Sequence, residues 1–286
     1  MLMSDKTFRD NTGRWAAART LSGVRVTAAY AVVLVAVSVV LTALGPRARD
    51  AVVSHMSTNL HNLARGRLST LVGSAFVGDG GDVYAWLPGL VCLLALGELM
   101  WRGKGLVITF AVGHVGATLI VAAGLLVALE VGWLPFAIAR ASDVGVSYGA
   151  VCVLGALTAS IPPRWRPAWV GWWLGVAVTA AVGADFTAAG HIVALLLGVG
   201  LSFRLPSTAG WTPPRAVLLS VGAAFGYFLL SGSSMLASVG GLSGMLIALL
   251  AGQVLRSRTE SRTESRSDKN RTSAQQPAFA PQPALS

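Results

Sequence analysis

Apolar stretches able to cross about 30 Å of hydrocarbon recur along this chain, separated by charged or Pro- and Gly-rich breaks. They cover residues 26–44, 86–101, 106–129, 144–161, 168–184, 186–203, 216–230 and 235–255. The pattern predicts eight transmembrane helices, or six or seven if the short second and seventh runs do not cross. The first run is longer than the apolar core of a signal peptide, and no small-residue cleavage site precedes "GPRARD", so it reads as a retained span.

Composition agrees with the pattern. The chain is 54% hydrophobic and 12% charged, where soluble domains run near 45–50% and about 25%. There are too few charges to cover a water-facing globule of this length, and the fold class expected is an all-α polytopic membrane protein. Cys92 and Cys152 both lie inside apolar runs. That position argues against a disulfide framework and a Cys-rich metal site, and for two small buried hydrophobes.

Charge placement sets the expected orientation. With the N-terminus inside, 17 of the 22 Lys and Arg fall on cytoplasmic segments, leaving Arg47, Arg49, Arg65, Arg67 and Arg140 outside. Both termini are therefore expected in the cytoplasm of a cell whose plasma (inner) membrane holds the protein. The net charge of +10 reflects this bias plus the tail, and no basic stripe with interleaved aromatics points to nucleic acid. The organisation expected is a cytoplasmic segment over 1–25, a membrane core over 26–205 with an outer loop at 45–85, added helices over 206–255, and a disordered cytoplasmic tail over 256–286. That tail carries a short SRTE repeat followed by Pro, Gln and Ala, a composition that cannot bury enough apolar surface to order itself. The outer loop is too apolar in places to be a free loop and is expected to lie on or in the outer leaflet.

Chemistry concentrates in two spans that enter from the same side. Ser147 lies about 5 Å below the start of the fourth span and His191 about 7 Å below the start of the sixth, at about 1.5 Å per residue. An imidazole inside a spanning helix is costly unless it faces the protein interior or water, and it marks a functional site by default. A hydroxyl within its reach completes the minimum apparatus for acyl transfer, in which imidazole takes the proton and the serine oxygen attacks a carbonyl. Asp143 reads as the N-cap of the fourth span, with spare N–H groups near Ser147 available to a developing oxyanion. Gly145 and Gly149 clear side chains from either side of the serine, and Gly190 lets the fourth and sixth helices approach. The alternative for the pair is packing glue, the serine bonding its own helix and the histidine a neighbour.

At these residues the chain resembles the rhomboid family of intramembrane serine proteases. The resemblance implies a six-helix core, here with about two extra C-terminal helices, a catalytic Ser in a GxSG motif on the fourth helix, and a His in an AHxxGxxxG-like pattern on the sixth. Gly145-Val146-Ser147 matches the first three positions of one motif; Ala189-Gly190-His191 with Gly198 matches much of the other, with Ala194 in place of the inner Gly. "RGRLSTLVGSAF" resembles the family's first-loop stretch, and "LGELMWRGKG", with Gly97, Glu98 and Gly103, the end of its second helix. The similarity covers roughly residues 65–203, preceded by the first span.

The departures are specific. Tyr148 stands where the family has its second Gly, unless Gly149 takes that place through a one-residue insertion. The HxxxN pair that helps hold the oxyanion on the family's second helix has no counterpart in "YAWLPGLVCLL". Losing one such donor costs about 10²–10³ in turnover. His55, Asn59 and Asn62 folding back from the outer loop, or the Tyr148 phenol, are the substitutes considered; the plainer role for the two asparagines is to satisfy loop backbone.

Other polar positions carry structural expectations. His114, mid-way along the third span, is expected to bond a neighbouring helix, and Glu98 to reach water or pair with Arg102. Asp185 reads as the N-cap of the sixth span, on the wrong face to orient His191, so the expected site is a dyad without a carboxylate. Gly222 with Gly226, and Gly240 with Gly244, have GxxxG packing spacing.

Three functions follow in order. The first is an intramembrane protease that cleaves transmembrane protein substrates near the outer leaflet, with Ser147 as nucleophile, His191 as base and acid, and no metal or organic cofactor. The second is an inactive rhomboid-like protein that binds transmembrane segments. The third, a small-solute transporter, lacks the inverted pair of broken, charge-bearing helices that such proteins use.

Overall fold

The computed structural model describes residues 23–78, 83–182, 186–207, 210–232 and 234–274. The first helix, α1 (Arg25–Leu44), matches the expected first span. The next apolar helix, α5, begins at Val83, and with its continuation to Glu130 it runs for 48 residues. At about 1.5 Å per residue that is more than twice the hydrocarbon thickness, so it must turn. It does so at Arg102, where φ is 62° and ψ 170°, inside α5 (Val83–Ala111). Leu106 then packs back on Gly97, so the second and third spans expected from the sequence lie side by side. Past a π-helical turn, Val112–Gly116, the third span continues as α6 (Ala117–Glu130).

Three shorter helices follow: α7 (Ser147–Ala156) extended by a 3-10 turn to Ser160, α8 (Arg166–Ala181) and α9 (Phe186–Ser202). From Ser147 to Ser160, α7 and its extension cover roughly 20 Å, less than the about 30 Å of a bilayer core. Two helices close the bundle, α10 (Pro213–Ser231) and α11 (Met235–Ala274). Four of these segments, Arg25–Leu44, Val83–Glu130, Pro213–Ser231 and Met235–Val254, are long and apolar enough to cross a membrane. No strand occurs among the described residues. The chain is an all-α polytopic membrane protein.

The central element is α7. Every residue from Tyr148 to Ala156 is buried, because neighbours approach from all sides across glycines. Gly155 and Gly198 bring α7 and α9 into backbone contact, Gly97 of α5 packs on Val153, and Gly226 of α10 packs on Leu154. A separate seam joins α8 to α11, where Gly171 and Gly175 meet Gly240 and Gly244 backbone to backbone. The GxxxG spacing at Gly240 and Gly244 thus does serve close packing. In the same way Gly222 of α10 lies on Leu93 of α5.

Glu98 is 4% exposed and is not paired with Arg102 in the way expected. Its carboxylate accepts hydrogen bonds from the Val26 and Thr27 backbone N–H groups (3.0 and 2.8 Å) and from the Thr27 hydroxyl (2.8 Å). The reason is physical: the opening N–H groups of α1 have no partners within their own helix, and a carboxylate satisfies both their hydrogen bonding and the helix dipole.

Residues 45–78 are folded into short helices. They form α2 (Pro46–Met56), α3 (Leu60–Ala64), α4 (Thr70–Gly73) and a 3-10 turn, Ser74–Phe76, with Ser57, Thr58, Asn62, Thr70 and Ser74 all buried. At the other extreme, α11 continues to Ala274 through part of the segment expected to be disordered. Arg, Glu and Lys there are good helix formers. Residues 1–22 and 275–286, and Asp185 with its expected N-cap role, lie outside the described residues.

Candidate active site

The fourth helix begins at Ser147, later than an Asp143 cap would start it. Val146 is the N-cap residue, and no side chain caps this end. The residues just before it are tied to the 45–78 segment: the Asp143 N–H donates to Ser57 Oγ (2.8 Å), the Thr58 N–H to the Asp143 carbonyl (2.9 Å), and the Gly145 N–H to the Ser74 carbonyl (2.8 Å). Gly145 has φ +118°, a conformation that suits glycine, and nothing lies within 4 Å of where its Cβ would be. The Asp143 side chain faces inward. Burial pushes its carboxyl up to about 6, while a hydrogen bond from Tyr148 pulls the other way.

Ser147 is half-buried in the wall of a cavity of about 650 Å³, shared with Gly145, Val146, Phe76, Trp86, Arg49 and the Phe225 end of α10. Its hydroxyl makes no hydrogen bond among the described residues. His191 lies near the start of α9, also half-buried. Its ring meets the side chain of Tyr148, with ring centroids 5.5 Å apart and planes at 80°. Tyr148 itself is 3% exposed, and its phenol occupies the space a Cβ on Gly190 would need. The expected close approach of the fourth and sixth helices at Gly190 is therefore present, filled by Tyr148. The Ser147-bearing turn and His191 come together, but the two are not hydrogen-bonded.

The other candidates divide. Gly145 is open to the surroundings, whereas Gly149 lies under the Phe110 ring, whose carbons would be 2.5–2.7 Å from an added Cβ. Gly149 therefore serves packing against the third span and does not clear a path for substrate. Asn59 caps α3, accepting from the Asn62 N–H (2.9 Å), and Asn62 donates to the Ser54 and Ser57 carbonyls (3.0 and 2.8 Å). His55 is exposed, with Nδ1 3.2 Å from Arg67 Nη1. None of the three is among the residues lining the Ser147 cavity; they hold the loop together and do not reach over the serine. Polar groups in a folded loop satisfy its backbone first, and that need takes these side chains.

One pair escaped the sequence reading. The structural hydrogen bond expected of His114 is made, but to the 45–78 segment and not to another span: its Nε2 lies 3.0 Å from Ser74 Oγ in the 3-10 turn. The signal was available in part, as His114 is the imidazole in the middle of the third span, but its partner belongs to a loop whose fold is not written in local periodicity.

A family model described as rhomboid-like protein matches residues 19–211. The chain belongs to this rhomboid-like family. Comparison with curated proteins gives no match, and neither does comparison with solved structures. The stretch matched by the rhomboid-like model runs from just before α1 to the end of the connection after α9. It thus includes Ser147, His191 and the 45–78 segment, and stops short of α10 and α11.

Proposed function

We propose that this rhomboid-like protein is an intramembrane serine protease that hydrolyses peptide bonds of transmembrane protein substrates near the outer leaflet. Ser147 is the nucleophile, and His191 first accepts its proton and then donates it to the leaving amine. The observation that carries the reading is the position of Ser147 on the first turn of a short central helix, half-buried in a cavity wall and one residue from the side chain that contacts His191. A helix too short for the bilayer keeps that turn recessed, and the opening N–H groups of a helix, which lack acceptors within it, are the kind of donor an oxyanion needs. Catalysis requires the imidazole to swing from the Tyr148 ring toward Ser147, a tightening that substrate binding commonly brings. Both termini then face the cytoplasm of a plasma membrane, as the distribution of Lys and Arg suggests.

The test is cleavage of a single-pass reporter in proteoliposomes. Cutting by the wild type that Ser147→Ala and His191→Ala each abolish supports the proposal. A second reading, an inactive protein that binds transmembrane segments, is favoured by the Tyr148 ring against His191 and by the absence of a His/Asn pair on α5. Reporter co-purification with wild type and Ser147→Ala alike, with no cutting by either, would favour it.

A further inference from the structure

The third span departs from α-helical geometry where it passes the serine-bearing turn. Val112–Gly116 is a π-helical turn, a rare feature that concentrates at functional sites. One side of it meets α7: Gly113 lies against Cys152 and the Tyr148 carbonyl, so close that an added Cβ would stand 2.8 Å from that oxygen. The other side presents His114, 5% exposed, to the 45–78 segment. There His114 Nε2, Ser74 Oγ and Thr58 Oγ1 form a buried chain with steps of 3.0 and 2.9 Å. The Thr58 hydroxyl also reaches the Thr70 carbonyl (3.0 Å), so its single proton has two acceptors and the chain ties Thr58, Ser74 and the start of α4 to the imidazole.

The same residues hold the chain on both flanks of Ser147. Ahead of the serine, the Ser74 carbonyl accepts the Gly145 N–H (2.8 Å) and the Thr58 N–H donates to the Asp143 carbonyl (2.9 Å). Behind it, Phe110 covers Gly149 and stacks on the His114 ring, with centroids 6.1 Å apart and planes at 22°. We propose that Ser74 and His114 are positioning residues for Ser147, a latch between the 45–78 segment and the third span that fixes the Gly145–Gly149 turn from both ends. Neither touches the reacting atoms. Its consequence for turnover rests on the proposed Ser147 chemistry, but the latch itself does not.

The test uses the full chain in nanodiscs, with Ser147→Cys as a reporter and adduct formation by iodoacetamide at position 147 followed by peptide mass spectrometry. Adding Ser74→Ala or His114→Ala should change the alkylation rate by about fivefold or more, the equivalent of roughly one net hydrogen bond. His114→Gln, whose amide can still reach Ser74, should restore much of the parent rate; a packing role alone would not distinguish Gln from other residues of similar bulk such as Leu. Thr58→Val removes one hydroxyl without changing shape and serves if His114→Ala does not fold. Rates within about twofold of the parent for folded Ser74→Ala and Thr58→Val overturn the latch. A changed thiol rate together with a wild type that cleaves nothing upholds the latch and rejects the Ser147 reaction, so the two failures are separable.

Discussion

The ring of Tyr148 stands nearly perpendicular to the ring of His191, with their centroids 5.5 Å apart. The residue directly after Ser147 therefore touches the imidazole. An edge-to-face pair of this kind contributes about 0.5–1.5 kcal/mol beyond its buried area, and it fixes the histidine beside the serine-bearing turn without committing it to the serine. The contact exists because Gly190 leaves room for the phenol.

Gly190→Ala should break that arrangement. The new methyl runs into the Tyr148 phenol, and forcing a packed interface apart costs about 1–3 kcal/mol. Equilibrium unfolding in mixed micelles should show that loss, and any Ser147-dependent cleavage should fall with it. A neutral substitution would mean that the α7–α9 contact is looser than described.

The Asp143 carboxyl gives a pH dependence with a definite sign. Burial raises it from 3.8 to about 6 in the folded protein, so the fold favours the neutral acid. Its contribution to stability is full below about pH 4 and is lost as pH rises through about 6. The thermal midpoint should decline across that window. Asp143→Asn should flatten the decline and exceed wild type at pH 7 by on the order of 1–2 kcal/mol. An unchanged slope in the variant would remove Asp143 as its source.

Removing the Glu98 carboxylate exposes what it holds. Three hydrogen bonds from Val26 and Thr27 converge on it, and bonds to a charged group are worth about 1.5–3 kcal/mol each at most, not additively. Glu98→Ala should therefore destabilise by about 2–4 kcal/mol, with Glu98→Gln milder because its amide oxygen still accepts. Reversible unfolding followed by tryptophan fluorescence measures both.

The seam between α8 and α11 makes a separate prediction. Gly175→Leu sets a side chain against the Gly240 carbonyl and should cost about 1–3 kcal/mol or more by overpacking. Because none of the four seam glycines lines the Ser147 cavity, adduct formation at the serine should be retained under conditions where the variant is folded.

The fold was largely legible because hydropathy reads spans directly: α1, both halves of the Val83–Glu130 segment and α7 to α11 fall where apolar runs lie. Ser147 and His191 were legible as polar exceptions within those runs, since lipid makes such exceptions costly. Positions decided by non-local partners were not. Asp143 looked like a cap because it precedes an apolar run, but hydrogen bonds to Ser57, Thr58 and Ser74 take up the backbone of Asp143 and Gly145, and the helix starts at Ser147. Gly149 looked like an opening, and Phe110, distant in sequence, fills it. Glu98 had a plausible local partner in Arg102, yet the opening N–H groups of α1, which have no acceptor within their own helix, are the stronger claim on a buried carboxylate. Gly171 and Gly175 gained meaning only when α11 was seen to face them.

The most direct measurement is the site of adduct formation by a fluorophosphonate on the full protein in lipid nanodiscs, mapped by peptide mass spectrometry. A single phosphonylated residue, Ser147, is expected, with labelling lost in His191→Ala while that variant remains folded. Labelling that persists at the wild-type rate in His191→Ala, or an intact protein that never labels at Ser147 in any lipid, would contradict a Ser147–His191 hydrolase.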